Sequence, residues 1–339
     1  MVKVLFKRLL ILWVMFCPSL HAEPIYGYFK SFDDLKIRTA KWEANGKKRG
    51  TLFFLQGMGG FIEGYTDFAS RMNALGFDVF TLDWRGQGGS ERITKKSTLL
   101  HIKSFDDYVK DLETYFAQQR EFARPIIIVG NSMGGNIALR YIYNHPNSVD
   151  GLIALSPMVD VNTQNYPYFI ARSIATLANT LGGAESYVFG FDQFNLDTCI
   201  SHFDPNKYGD REKYLTDCVF LNSHQDLATG GPSFSWLAAA FDSCELIRDY
   251  DFSSRILIPV LMVTVPTDHL VDPDAQRELC AIIPKCRQIL YQEGHHNLLK
   301  DNEKLVARLI HDIDRFVKDL PSLQKGVPQS ILVMNNTDQ

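Results

Sequence analysis

Short, wholly apolar runs alternate with amphipathic stretches along most of the chain. Thr51-Leu52-Phe53-Phe54-Leu55, Ile126-Ile127-Ile128-Val129, Gly151-Leu152-Ile153-Ala154-Leu155 and Val260-Leu261-Met262-Val263-Thr264-Val265 carry no polar face. Runs of that kind suit strands of a parallel sheet, which are covered on both sides. Phe77 to Leu82 and Arg287 to Tyr291 read as further strands. Between them lie segments of helical period. Tyr65 to Leu75 stops at Gly76, and Ser104 to Gln119 gathers Phe105, Tyr108, Val109, Leu112, Tyr115 and Phe116 on one face. Met133 to about Tyr143, Asp274 to Ile282 and Glu303 to Val317 complete the helices. Repeated strand–helix units predict an α/β fold: a mostly parallel sheet with helices on both faces. At the start, Ile37 to Trp42 alternates, Asn45-Gly46 turns, and Arg49 to Leu55 follows, which predicts a hairpin.

The alternation lapses from residue 158 to about 250. Helical segments, aromatics and turn signals fill this stretch, and no buried strand interrupts it. That is too long for a connection, so an inserted helical cap is expected. The chain then divides into a core of 23–157 and 251–320, a cap of 158–250 and a flexible tail of 321–339. Residues 1–22 stand apart. Lys3, Lys7 and Arg8 precede an unbroken apolar run from Leu9 to Cys17, and a short exit ends at Ala22. This is the layout of a cleavable signal peptide. The run is short of the roughly 20 residues that span a bilayer. Export to a periplasmic or extracellular space is expected. Leu20, where a small residue is preferred, keeps an uncleaved membrane anchor as the alternative.

Composition adds limits. The chain has 339 residues and a net charge of −4, without a basic footprint for nucleic acid. Losing Lys3, Lys7 and Arg8 takes the charge to −7. An exported chain can form disulfides. Cys280 and Cys286 are the closest pair in sequence, and Cys199 with Cys218 is a candidate second, which would leave Cys244 free. Spacing alone does not fix the connectivity. No zinc-type Cys/His spacing is present and no cofactor is implied.

The chemistry centres on Gly130-Asn131-Ser132-Met133-Gly134, set between an apolar strand and a helix. Glycine, lacking Cβ, lets strand and helix approach closely, so a serine on this sharp turn presents its hydroxyl at the sheet's carboxyl edge. A serine nucleophile needs a base, and the base needs an orienting carboxylate. In nucleophile-elbow hydrolases these follow in the order Ser, Asp, His. Asp268 lies just past the strand ending at Val265, and His295-His296 lie just past Tyr291. His296 is the favoured base with His295 as alternative. Asp268 is the favoured acid; Asp272, the alternative, reads as a helix cap before Pro273. The glycine-rich Gln56-Gly57-Met58-Gly59-Gly60 loop supplies a candidate oxyanion donor, the N–H of Met58, opposite the N–H of Met133. Two such donors are worth about 3 kcal/mol each.

These stretches, with Asp83-Trp84-Arg85-Gly86-Gln87-Gly88-Gly89-Ser90 and Glu293-Gly294-His295-His296-Asn297-Leu298-Leu299, resemble the bacterial lysophospholipase and monoacylglycerol lipase branch of the serine α/β hydrolases. The resemblance covers roughly residues 30 to 318. It implies an α/β-hydrolase fold with Ser132 as nucleophile, Asp268 as acid and His296 as base. It departs where many members have His-Gly and this chain has Gln56-Gly57. The expected substrate is a lipid with one acyl chain, lysophospholipid or monoacylglycerol, cleaved through an acyl-enzyme. Tyr166, Tyr168, Phe169, Phe234, Trp236, Leu237 and Phe241 of the cap would suit an acyl chain, with transient contact to a membrane surface. A short-chain esterase, an aminopeptidase, an acyltransferase and a non-catalytic binding protein are the rival readings.

Overall fold

The computed structural model describes residues 23–119, 122–163 and 168–324. The expected export segment, Tyr166 and residues 325–339 lie outside them. The strands are β1 (Ile25–Lys30), β2 (Lys36–Trp42), β3 (Gly50–Leu55), β4 (Phe77–Leu82), β5 (Ile126–Asn131), β6 (Gly151–Leu155), β7 (Val260–Thr264) and β8 (Cys286–Leu290). They form one sheet in the order β1-β2-β4-β3-β5-β6-β7-β8. From β4 to β8 every pairing is parallel, and β3, β5, β6 and β7 are buried along their whole length. This is why their sequences carry no polar face.

One expectation is corrected at the sheet edge. Gly46 does turn, with φ +89°, but β2 and β3 do not form a hairpin. β2 runs antiparallel to β4, and its hairpin partner is β1. The wholly apolar β3 belongs in the covered centre, between β4 and β5, and leaves the edge to β1, whose Ile25, Tyr26 and Tyr28 are exposed.

The helices are α1 (Thr66–Ala74), α2 (Asp106–Gln118), α3 (Met133–Asn144), α4 (Tyr168–Ala178), α5 (Leu196–Ser201), α6 (Arg211–Ser223), α7 (Phe234–Arg248), α8 (Tyr250–Ser253), α9 (Pro273–Ile282) and α10 (Glu303–Gln324). One face of the sheet packs Phe68 and Met72 of α1 with Leu309, Ile313 and Phe316 of α10. The other packs Tyr108 and Leu112 of α2, Ile137 of α3 and Leu279 of α9. Trp236, Ala240, Cys244 and Ile247 of α7 join this second layer. Ser243 Oγ donates to Asn136 Oδ1 at 2.6 Å, locking α7 to α3. The cap boundary drawn at 250 therefore takes in a helix of the core layer. Its opposite side, Ala238 and Phe241, carries Ala175 and Tyr168 of α4, and burial on both sides hid its membership in the sequence pattern.

Two disulfides form, Cys199–Cys218 between α5 and α6 and Cys280–Cys286 between α9 and β8. Cys244 is free and buried. At the other end of the inserted stretch, Val161 bridges Val271, Asn162 N–H donates to Leu270 O and Asp272 N–H to Asp160 O. Among the described residues no helix is long and apolar enough to cross a membrane.

Candidate active site

Ser132 sits between β5 and α3 with φ +52° and ψ −117°, a conformation an L-residue adopts only under constraint. The constraint is visible. Its N–H donates to Leu155 O at 2.9 Å, and its carbonyl accepts from Gly135 N at 2.9 Å and Met158 N at 3.0 Å. A Cβ on Gly134 would lie 2.0 Å from Leu55 O, and one on Gly130 would lie 2.7 Å from the Gly135 Cα. Glycine at both positions is a steric requirement of the turn.

The loop after β3 is held from beneath by the Asp83 to Ser90 stretch. Trp84 Nε1 donates to Gln56 O at 2.8 Å, and Gly59 N–H donates to Gln87 Oε1 at 2.7 Å. The fully buried Asp83 accepts from Gln56 Nε2, Ile62 N, Gly89 N and Arg38 Nε, all within 2.7–3.0 Å. Burial pushes its carboxyl above the usual range, and the Arg38 guanidinium opposes that shift. Arg38 also forks onto Glu63 at 2.7 and 3.0 Å. A Cβ on Gly88 would fall 2.2 Å from Asp83 Cγ. Met58 and Met133 both reach the same cavity, and among the described residues neither backbone N–H has an acceptor.

Asp268 and His296 meet. Asp268 Oδ2 lies 2.6 Å from His296 Nδ1, while Oδ1 accepts from Leu270 N at 2.8 Å and Val271 N at 3.3 Å. Both residues are buried. His295 turns away: its Nδ1 is 2.9 Å from Asp301 Oδ2, which also accepts the His295 N–H at 3.0 Å. Asp272 caps α9, accepting from Asp274 N and Ala275 N. The structure thus joins His296, not His295, to Asp268, not Asp272. Ser132 and His296 line one cavity, and among the described residues no hydrogen bond links them.

The cavity holds about 530 Å³, a size usual for small-molecule sites. Met158, Val161, Ala171, Trp236, Leu237 and Phe241 make an apolar wall from α4, α7 and the chain before them. Lys207, Tyr208, His269 and Asn297 are among its polar lining residues. Burial pushes the phenols of Tyr65 and Tyr208 upward, so both stay protonated at neutral pH. Sequence reasoning did not single out Asn131, Lys207 or Tyr208. His269 lines the cavity while remaining exposed. His101 is buried against Ser233 Oγ at 3.0 Å, away from the cavity, and His224 stacks on Phe220. Among the described residues no cluster of three or more His, Cys, Asp or Glu could hold a metal.

The sequence profile of the serine aminopeptidase S33 family (Hydrolase_4) matches residues 46–303, which span every element placing these groups. The chain belongs to this family. Lysophospholipase L2 of Escherichia coli K12 is 23% identical over 299 residues, covering 85% of this chain and 86% of the relative. Human monoglyceride lipase is 22% identical over 285 residues, covering 81% and 84%. A soluble variant of Saccharomyces cerevisiae monoglyceride lipase, solved with a substrate analogue, matches with a TM-score of 0.70 at 18% identity over 88% of this chain and 97% of that one. A thermostable carboxyl esterase from Bacillus coagulans matches with a TM-score of 0.65 at 15% identity, over 88% and 98%. These structures share the α/β-hydrolase fold with this member of the S33 family.

Proposed function

We propose that this S33-family protein is an exported serine hydrolase that cleaves the carboxylic ester of a single-acyl-chain lipid. The observation that carries the reading is one cavity lined by Ser132, by the Asp268-bound His296 and by Met58 and Met133, whose backbone N–H groups have no acceptor among the described residues, together with apolar side chains of α4 and α7. Ser132 Oγ attacks the ester carbonyl as His296 Nε2 takes its proton, and Asp268 stabilises the imidazolium. The Met58 and Met133 N–H groups hold the tetrahedral oxyanion. Its collapse expels the alcohol, which leaves with the proton from His296. Water, deprotonated by the same histidine, then attacks the acyl-Ser132 ester and releases the fatty acid.

The family description favours a second reading, aminopeptidase. Such an enzyme must hold a free α-ammonium, and among the described residues no Asp or Glu lines the cavity. The names of the relatives, lysophospholipase and monoglyceride lipase, point the same way. Two disulfides support an oxidising compartment, consistent with export directed by residues 1–22. Exposed Phe169, Leu177, Leu181 and Phe189 of the inserted region support contact with a lipid surface.

The test is acyl release by residues 23–339, with Ser132→Ala in parallel, on lysophosphatidylcholine, monoacylglycerol, p-nitrophenyl butyrate and an aminoacyl naphthylamide. Long-chain ester turnover that Ser132→Ala abolishes is the expected result. Turnover of butyrate alone reassigns the protein as a short-chain esterase, and turnover of the amide alone as a peptidase.

A further inference from the structure

Lys207 is the one Lys, Arg, Asp or Glu among the described residues that line the cavity. Its own ion pair is loose, with Nζ 3.9 Å from Asp204. The turn that carries it is firm. Lys207 N–H and Tyr208 N–H both donate to Asp204 O, at 2.9 and 3.1 Å, and Tyr208 packs on Tyr214 of α6 with ring centroids 4.4 Å apart. Gly209 presses so closely on the His295–Asp301 pair that a Cβ there would lie 1.9 Å from Asp301 Oδ1 and 2.6 Å from His295 Nδ1. Lys213 Nζ donates to Asp301 O at 2.7 Å. The turn is therefore seated against the residue adjoining His296.

That seat decides which part of a substrate meets the lysine. The general acid protonates the leaving alcohol, so the alcohol lies on the histidine side, and the acyl chain takes the apolar wall of α4 and α7. A cation on the leaving-group side of a largely apolar cavity suits an alcohol bearing an anion, and a low-dielectric surround strengthens that pairing. Building on the reading above, we propose that Lys207 binds the phosphate of the leaving group and makes the protein select lysophospholipids over uncharged monoacylglycerols. His295, with Asp301, acts as the positioning clamp for the turn that carries Lys207.

The experiment compares kcat/KM for 1-palmitoyl-lysophosphatidylglycerol and 1-palmitoylglycerol, each in the same neutral detergent micelles, for the wild type, Lys207→Met and Lys207→Arg. A charge-assisted hydrogen bond of ordinary strength predicts that Lys207→Met lowers the lysophospholipid-to-monoacylglycerol ratio about 10- to 100-fold. Lys207→Arg should hold the ratio within about threefold, since it keeps the charge. The ratio is read within each variant, so a loss of folded protein cancels. An unchanged ratio in Lys207→Met overturns the proposal and leaves the esterase reading intact. Absence of turnover on both lipids by folded wild type, with turnover of the aminoacyl naphthylamide, overturns the esterase reading itself.

Discussion

At the residue scale, the adjacent histidines separate two kinds of work. His296 is bound to Asp268 and His295 to Asp301, two buried carboxylates, and only His296 lines the cavity with Ser132. His296→Ala should lower kcat about 10⁴- to 10⁶-fold, the loss expected when a triad base is removed. His295→Ala should keep fluorophosphonate labelling of Ser132 but unfold at lower denaturant, by about 1–3 kcal/mol, since it leaves Asp301 short of a partner. Labelling and urea titration of the two variants check both outcomes; equal loss of labelling would contradict the assignment. Gly134→Ala tests the turn itself. Its methyl would meet the Leu55 carbonyl, which is backbone and cannot swing aside, so a destabilisation of about 3 kcal/mol or more is expected in a thermal melt.

At the element scale, the disulfide between α5 and α6 closes a loop with a sequence separation of 19. Replacing both Cys199 and Cys218 by serine should cost about 3 kcal/mol, read as a lower denaturation midpoint under non-reducing conditions. His101 gives a pH signature to the start of α7. Burial lowers its pKa below the usual 6.5, so the unfolded chain binds a proton at pH values where the folded one does not. Stability must then fall as pH drops from 7 towards 5 and be regained above 6.5. Thermal melts of His101→Gln over that range should show a shallower slope. The strand–helix alternation was legible because β3, β5, β6 and β7 are buried on both faces and so have no polar positions. The glycines of the elbow, the Asp272 cap and the positions of Asp268 and His296 just past β7 and β8 were legible for local reasons: each depends on a few adjacent residues. What stayed hidden depends on tertiary placement. Asn45-Gly46 turns the chain without pairing β2 to β3, α7 belongs to the core through contacts on both sides, and Lys207 lines the cavity from a turn whose Gly209 packs on Asp301, far along the chain.

At the scale of the whole molecule, the inserted region leaves Phe169, Leu177, Leu181 and Phe189 exposed, and Phe189 also lines the cavity. The double variant Leu177→Glu, Leu181→Glu replaces two exposed leucines that do not line the cavity. It should weaken co-sedimentation with phosphatidylcholine vesicles at least tenfold, since each leucine is worth about 1.5–3 kcal/mol on burial in lipid. Unchanged co-sedimentation would remove the lipid-surface contact from the reading. The root of that region has a consequence of its own. Asp160, Val161 and Asn162 are stitched to Leu270, Val271 and Asp272, and the N–H groups of Leu270 and Val271 are the ones that hold Asp268. One short ribbon is at once the root of the inserted stretch and the mounting of the acid. The peptide unit joining Leu270 to Val271 does both tasks, its carbonyl accepting from Asn162 N–H and its N–H donating to Asp268. A substitution that loosens the root of the insertion is thereby a substitution in the cradle of the carboxylate.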